Sequence, residues 1–159
     1  MTAGVPGRRK FILDTHVFIA AFRDPAANDA LQAFHRALAP FEYLSAVVAQ
    51  ELRAGIRRSQ DRRNLERHVL GVYGRAGRVV TPTAESWHQS GDILSKMAST
   101  EGVELTKVPK SFGNDLLIAL SCREAGCVLV TDNTRDFRRI RRFVRFEFVE
   151  PWSDLRVPS

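Results

Sequence analysis

The sequence of 159 residues is poor in cysteine and has no long apolar run. Its two thiols, Cys122 and Cys127, are too few and too badly spaced for a thiolate metal site, so we expect them to be buried and free, at the end of a helix and the start of a strand. No stretch approaches the roughly 18 to 20 apolar residues that cross a bilayer. We therefore expect no membrane segment.

An export signal is also missing from the first ten residues, which are polar and basic. They contain neither an apolar core nor a small-residue cleavage site, so we expect a cytoplasmic protein with a flexible basic extension over residues 1–10. A chain of this length fits one ordinary domain and can bury about 70% of its unfolded surface. We expect a single domain over 1–159.

Acidic residues are outnumbered, with 18 Asp and Glu against 24 Lys and Arg, which gives a net charge of +6 and a pI of about 10.0. Such a balance favours a polyanionic partner such as nucleic acid, although simple solubility also accounts for it. Arginines are concentrated near the C-terminus, at positions 135, 138, 139, 141, 142 and 145. We predict RNA contacts for Arg135, Arg138 and Arg139.

Apolar patterning alternates between short strands and amphipathic helices. Strands are predicted at 11–13, 41–44, 78–81, 127–130 and 144–149. Helices are predicted around 31–38, at 46–58, at 62–73, from near Asp115 to Gly126, and briefly within 131–142. A further helix is predicted to begin after Thr83, with Trp87, Gly91, Leu94 and Ala98 on one face. Residues 101–113 are predicted to form a loop. This order predicts an α/β fold, a three-layer α/β/α arrangement around a mainly parallel sheet of about five strands.

Carboxylates follow or interrupt these elements at four places. Asp14 comes directly after the first strand, where it either binds a cation or caps the next helix. Glu51 shares a helix face with Val47 and Val48, so it faces the core unless it lies at the edge of that face or pairs with Arg53.

Asp115 lies on the face of Ile118, Ala119 and Cys122 and is therefore predicted to point inward. At the predicted helix N-terminus the helix dipole alone could stabilise it, by roughly 0.3 to 1 kcal/mol. Asp132 and Asp136 flank Asn133 in the loop after the fourth strand, where an Asx turn is the alternative.

Several carboxylates at one sheet edge repel one another, and a divalent cation relieves that repulsion. Mg²⁺ prefers hard oxygen ligands, keeps several waters and binds through one or two carboxylates plus substrate phosphates. In a basic protein, this predicts a phosphodiester substrate.

Four segments together resemble the PIN domain, and VapC-type toxins most of all. They are Phe-Ile-Leu-Asp-Thr, Leu-Ser-Ala-Val-Val-Ala-Gln-Glu-Leu-Arg-Ala-Gly, Asn-Asp-Leu-Leu-Ile-Ala-Leu and Leu-Val-Thr-Asp-Asn-Thr-Arg-Asp-Phe. Each motif is weak alone, but the four occur in order over nearly the whole chain. The resemblance implies Mg²⁺- or Mn²⁺-dependent cleavage of RNA, a small antitoxin partner and a homodimer.

Carried over by motif, the core acids and metal ligands would be Asp14, Glu51 and Asp115, with Thr15 in support. Thr131 and Asn133 are also assigned supporting roles. The family often has an acid where Asn133 stands, so the fourth acid is either Asp136, also assigned as a metal ligand, or Asp132. His16 departs from the small polar residue expected after Asp-Thr.

We predict an endoribonuclease that acts through metal-activated water. A haloacid-dehalogenase phosphatase also begins with an aspartate at a strand end but needs a second one at position 16, where this chain has His16. The remaining alternatives are a PIN-like module that binds RNA or protein without catalysis, and a PIN nuclease that acts without an antitoxin.

Overall fold

A computed structural model describes residues 9–152, so most of the expected 1–10 extension lies outside the described residues. All five strands are parallel, in the order β3-β2-β1-β4-β5. Their bounds are β1 Lys10–Leu13, β2 Glu42–Ser45, β3 Val79–Val80, β4 Cys127–Val130 and β5 Glu147–Val149. Helices flank the sheet, and the predicted three-layer α/β/α fold is confirmed.

Eight α-helices surround this sheet in the described part of the chain. They are α1 Thr15–Arg23, α2 Pro25–Leu38, α3 Ala46–Ala54, α4 Ser59–Leu65, α5 Gly71–Arg75, α6 Ala84–Glu101, α7 Lys110–Ala125 and α8 Thr134–Arg141. A π-helical segment, Glu66–Leu70, joins α4 to α5, and short 3₁₀ turns occupy Ala39–Phe41 and Leu105–Lys107. None of the helices in residues 9–152 combines the length and apolar composition that a membrane crossing requires.

The strand order reverses at the centre of the sheet, between β1 and β4. From β1 the chain moves outward to β2 and β3, then returns to place β4 on the other side of β1. Both central strands are buried, with Ile12 and Leu129 fully inaccessible. In open parallel sheets, ligands bind beyond the carboxyl ends of the strands at this point of reversal.

Helix α7 is largely enclosed by the fold, because nine of its sixteen residues are buried. It begins at Lys110 after Pro109, not near Asp115, so the predicted 101–113 loop was too long. Asp115 is therefore the sixth residue of the helix. Because the helix dipole acts within the first turn, the alternative in which the dipole alone stabilises Asp115 does not apply.

The buried face of α6 lies one residue before the face that Trp87, Gly91, Leu94 and Ala98 share. Its inaccessible residues are Ser86, Ser90, Ile93 and Met97, whereas Trp87 is 58% exposed. Small serines allow α6 to pack against α7, and the Ser90 hydroxyl is satisfied within its own helix by donating to the Trp87 carbonyl at 2.7 Å. Trp87 and Gly91 therefore lie outside the buried face of α6.

Other helices and strands agree with the predictions except at their ends. Helix α3 ends at Ala54 rather than at residue 58, and β3 and β5 are shorter than predicted. The predicted 62–73 helix extends from 59 to 75 through the π-helical segment. Both cysteines are buried and free, as predicted.

Candidate active site

Asp14 and Thr131 lie side by side at the carboxyl ends of β1 and β4. Backbone pairing carries Leu13 opposite Val130, and the Asp14 amide then donates to the Val130 carbonyl at 2.9 Å. Beyond that bond, the Thr131 hydroxyl donates to Asp14 Oδ2 at 2.7 Å, and both side chains are buried. The other oxygen, Oδ1, accepts from the Thr15 amide at 2.8 Å and caps α1.

Glu51 joins this group through Thr15. The Thr15 hydroxyl donates to Glu51 Oε1 at 2.7 Å, which links the start of α1 to the middle of α3. On the other side, Asn114 Nδ2 donates to Glu51 Oε2 at 3.4 Å. Arg53 does not pair with Glu51, because its guanidinium binds Glu66. Glu51 is half-buried and keeps its inward orientation, as predicted.

Asp115 and Asp136 are held together by one amide group. Asn133 Nδ2 donates to Asp115 Oδ2 and to Asp136 Oδ2, at 3.3 Å in each case. The Asn133 backbone amide in turn donates to the Thr131 hydroxyl at 3.0 Å. The loop after β4 therefore connects the Asp14 side of the cluster to the Asp115 side.

Asp132 is exposed, and the structure does not bring its side chain into this group. Its backbone carbonyl accepts from the Thr134 amide at 2.9 Å, as α8 begins. Asp136 lies on the first turn of α8, and its carboxylate shares the Asn133 side-chain amide with Asp115. Of the two candidates for the fourth acid, the geometry places Asp136 beside the others.

The electrostatics of the four acids, Asp14, Glu51, Asp115 and Asp136, favour protonation or a bound cation. Burial, together with the charges of Asp14, Asp136 and Glu51, raises the pKa of Asp115 to about 8. The pKa of Asp14 is also raised, mainly by burial, although the Thr131 and Thr15 hydrogen bonds lower it in part.

Arginine and lysine do not compensate the charge of this cluster: within residues 9–152, neither forms an ion pair with any of the four acids. In the same residues, no three His, Cys, Asp or Glu side chains are placed to ligate one ion directly. The carboxylates offer hard oxygen donors and leave several coordination positions to other ligands. This donor set fits Mg²⁺ or Mn²⁺, which bind through one or two carboxylates and complete their coordination with water and phosphate oxygens.

The arginines predicted to contact RNA are not equally available. Arg139 donates to Glu101 Oε2 at 2.9 Å and covers the Phe112 ring, so its charge is already compensated. Arg135 and Arg138 are exposed on α8, next to Asp136 in sequence. These two are the members of the predicted set whose guanidinium groups can reach a ligand.

Two residues of the site were not recognised from the sequence as members of it. Asn114 precedes Asp115 and contacts Glu51, and its position inside the Asn-Asp-Leu-Leu motif was the only signal. His16 is exposed on the first turn of α1, and its charge lowers the pKa of Asp14. The sequence marked His16 only as a departure from the expected small residue.

Comparison with protein-family models matches the PIN domain over residues 11–143. The matched region contains all four clustered acids. A search among curated proteins finds no significant sequence match.

Several solved structures are similar to this chain. FitAcB from Neisseria gonorrhoeae has a TM-score of 0.64 and 23% identity, over 89% of this chain and 98% of that one. DNA-bound VapBC from Salmonella typhimurium has a TM-score of 0.61 and 23% identity, over 89% and 98%. VapBC2 from Rickettsia felis, bound to a DNA fragment from its promoter, has a TM-score of 0.56 and 18% identity, over 90% and 98%. At these identities the likeness establishes the fold.

Proposed function

The chain belongs to the PIN domain family, and on that premise we propose that it is a divalent-metal-dependent endoribonuclease acting on single-stranded or structured RNA. One observation carries the proposal. Asp14, Glu51, Asp115 and Asp136 converge at the reversal point of the sheet with no basic side chain of residues 9–152 paired to them. Because these carboxylates repel one another, their arrangement is stable only if a cation or additional protons compensate the negative charge.

Asp14 and Asp115 are the buried acids and would be the innermost ligands of Mg²⁺ or Mn²⁺. Glu51 and Asp136 flank them from α3 and α8. When bound, a divalent cation supplies a Lewis acid that activates water and offsets charge on the phosphate oxygens. The net charge of +6 favours a polyanionic substrate such as RNA.

Neighbouring polar side chains orient these carboxylates. Thr131 and the Thr15 amide each donate to one oxygen of Asp14, and the Thr15 hydroxyl and Asn114 each donate to one oxygen of Glu51. Both carboxylates are thereby fixed, and the second lone pair of each oxygen would remain for a metal ion. The Asn133 side-chain amide donates to both Asp115 and Asp136 and so holds them close together, and it adds no fifth negative charge. Preorganisation of this kind lowers the cost of assembling the site during the reaction.

A small antitoxin protein is the partner that we propose for this nuclease. The sequence resembles VapC-type toxins, and the similar solved structures include VapBC and FitAcB. A homodimer is part of the same proposal and is tested by the mass of the purified protein in solution. If the neighbouring gene encodes no partner that co-purifies, the chain is a nuclease without an antitoxin.

The experiment that tests the function is cleavage of labelled single-stranded RNA by purified protein with Mg²⁺, Mn²⁺ or EDTA, beside Asp115→Asn. We expect cutting that requires metal and is lost in the variant, while its circular dichroism spectrum stays unchanged. Cleavage retained by the folded, contaminant-free variant contradicts the assignment. Metal-independent RNA binding without cutting assigns the protein to the non-catalytic alternative.

A further inference from the structure

A second basic surface lies on the segment between α3 and α5, away from the arginines of α8. Residues 57–64 are all exposed, and α4 buries only Leu65. Most surface helices pack an apolar stripe against the core over their whole length, but here the stripe starts at Leu65 and continues at Leu70 and Tyr73. The N-terminal half of this helix therefore contributes little to packing and is available to a ligand.

Charge on this segment is strongly positive and largely uncompensated. Residues 57–67 contain five arginines and two acids, and these arginines are Arg57, Arg58, Arg62, Arg63 and Arg67. Glu66, one of the two acids, is already bound by Arg53, with 3.0 Å between Arg53 Nη2 and Glu66 Oε2. No arginine of 57–67 forms an ion pair anywhere in residues 9–152.

The six arginines of residues 135–145, in α8 and just after it, differ in this respect. Arg139 and Arg142 share Glu101, and Arg141 stacks on the Phe148 ring at 3.9 Å from its centroid. Three of the six are thus used within the fold. By the number of arginines alone, residues 135–145 would be the stronger candidate for binding an anionic ligand. The contacts within the fold favour residues 57–67, because the arginines there are not paired with acids.

An open groove runs along this helix, lined by Arg62, Arg63 and Arg67 together with Ser59, Gln60, Asn64 and Glu66. Glu66 is the one acid of this lining, and Arg53 already compensates its charge. We infer that this groove binds the phosphate backbone of the RNA substrate at a distance from the carboxylate cluster, an inference that rests on the proposed function. Arginine, amide and hydroxyl donors are the groups that proteins use for phosphate and sugar contacts. Residues 57–64 contain no apolar side chain, which disfavours a protein partner, because protein interfaces have an apolar core.

The RNA must pass around the end of α3 to reach both places. Glu51 and Arg53 are two residues apart, so they project from opposite sides of α3, and the Arg53–Glu66 pair fixes the basic helix on the side away from Glu51. Arg57 follows the end of α3, six residues after Glu51, hence within about 20 Å along the chain. A strand of several nucleotides spans that distance, but a very short oligonucleotide bound at the carboxylates does not reach Arg63 and Arg67.

The test compares Arg63→Gln/Arg67→Gln with a matched control, Arg23→Gln/Arg36→Gln, which removes the same charge from α1 and α2. Binding of a labelled 20-nucleotide single-stranded RNA is measured in EDTA by fluorescence anisotropy over a range of KCl concentrations. We expect the test variant to bind about tenfold more weakly and its salt dependence to fall by roughly 1.4 in slope, for two lost phosphate contacts. The control should stay within about twofold of the wild type.

Cleavage of two substrates provides the second readout. With Mg²⁺, we expect the test variant to have a raised KM and unchanged kcat on the 20-nucleotide RNA, and unchanged cleavage of a four-nucleotide RNA. Equal losses on both lengths, or unchanged affinity for the long RNA, overturn the inference. Unchanged RNA affinity with lost binding of a poly-glutamate peptide also overturns it, by assigning the groove to an acidic protein segment.

Failure of this inference is distinguishable from failure of the proposed function. If the wild type cuts RNA and the test variant binds it normally, only the inference is wrong. If the wild type binds RNA through Arg63 and Arg67 but cuts none, RNA binding at the groove is supported and the proposed nuclease activity is contradicted.

Discussion

The Thr131 hydroxyl donates a 2.7 Å hydrogen bond to Asp14 Oδ2, across 117 residues of sequence. Both side chains are buried at the carboxyl ends of adjacent central strands, where the parallel pairing of β1 and β4 places them opposite each other. This contact connects the carboxylate nearest the centre of the sheet to the loop that carries Asn133 and Asp136.

Replacement of Thr131 by Val should weaken both stability and cleavage. The variant removes a buried donor to a carboxylate, which costs about 2 kcal/mol, and frees Asp14 to rotate. Thr131→Ser keeps the hydroxyl and should restore most of both properties. Thermal unfolding and RNA cleavage, measured side by side, check this, and a Val variant that cuts as fast as the Ser variant contradicts it.

Asp136 and Asp132 provide a matched pair that tests the fourth acid. Asp136 shares the Asn133 amide with Asp115, whereas Asp132 is exposed and outside the cluster. We expect Asp136→Asn to reduce the rate of RNA cleavage at least tenfold and Asp132→Asn to leave it within about twofold. The reverse order would assign the fourth position to Asp132.

The raised pKa of Asp115 predicts how the stability of the metal-free protein depends on pH. Folding shifts this pKa from an ordinary value of 3.8 to about 8, so the folded state binds the proton more tightly than the unfolded state. The resulting stabilisation is complete below about pH 4 and is lost as the pH rises through 8. In EDTA, we expect Tm to fall by about 5 °C or more between pH 6 and pH 9.

Mg²⁺ should oppose this loss, because the cation replaces the proton as the compensating charge. The rise in Tm on adding Mg²⁺ should therefore be larger at pH 8.5 than at pH 6. Asp115→Asn serves as the control and should lose most of the pH dependence and of the Mg²⁺ effect. An equal pH slope in the variant and the wild type means that other groups cause it.

A buried polar cluster at the opposite end of the sheet allows stability to be changed without changing activity. Glu42 begins β2 and accepts from the Tyr73 hydroxyl at 2.8 Å, with His35 Nδ1 at 2.7 Å from Glu42 Oε1. Tyr73→Phe leaves a buried carboxylate with one donor fewer, so we expect a loss of about 2 kcal/mol in the free energy of unfolding. Urea denaturation measures it, and kcat on RNA at 25 °C should not change.

Much of the fold could be predicted because its signals are local. The apolar runs at 11–13 and 127–130, the Ser45 cap and Gly126 each act within a few residues, and the structure has them where the sequence places them. The buried face of α6 and the start of α7 could not be predicted this way. On α6, small serines rather than the largest apolar residue face the core, since close approach to α7 requires small side chains there.

For the site, the sequence by itself determined which acids follow the strands and which share an apolar helix face, because both are properties of spacing along one segment. Only the tertiary structure decided that Asp136 rather than Asp132 turns toward Asp115, that Asn114 contacts Glu51, and that Arg139 is taken by Glu101. Each of these depends on the distance between segments far apart in the chain. That distance is set by the packing of α3, α7 and α8 around the sheet, and residue spacing carries no information about it.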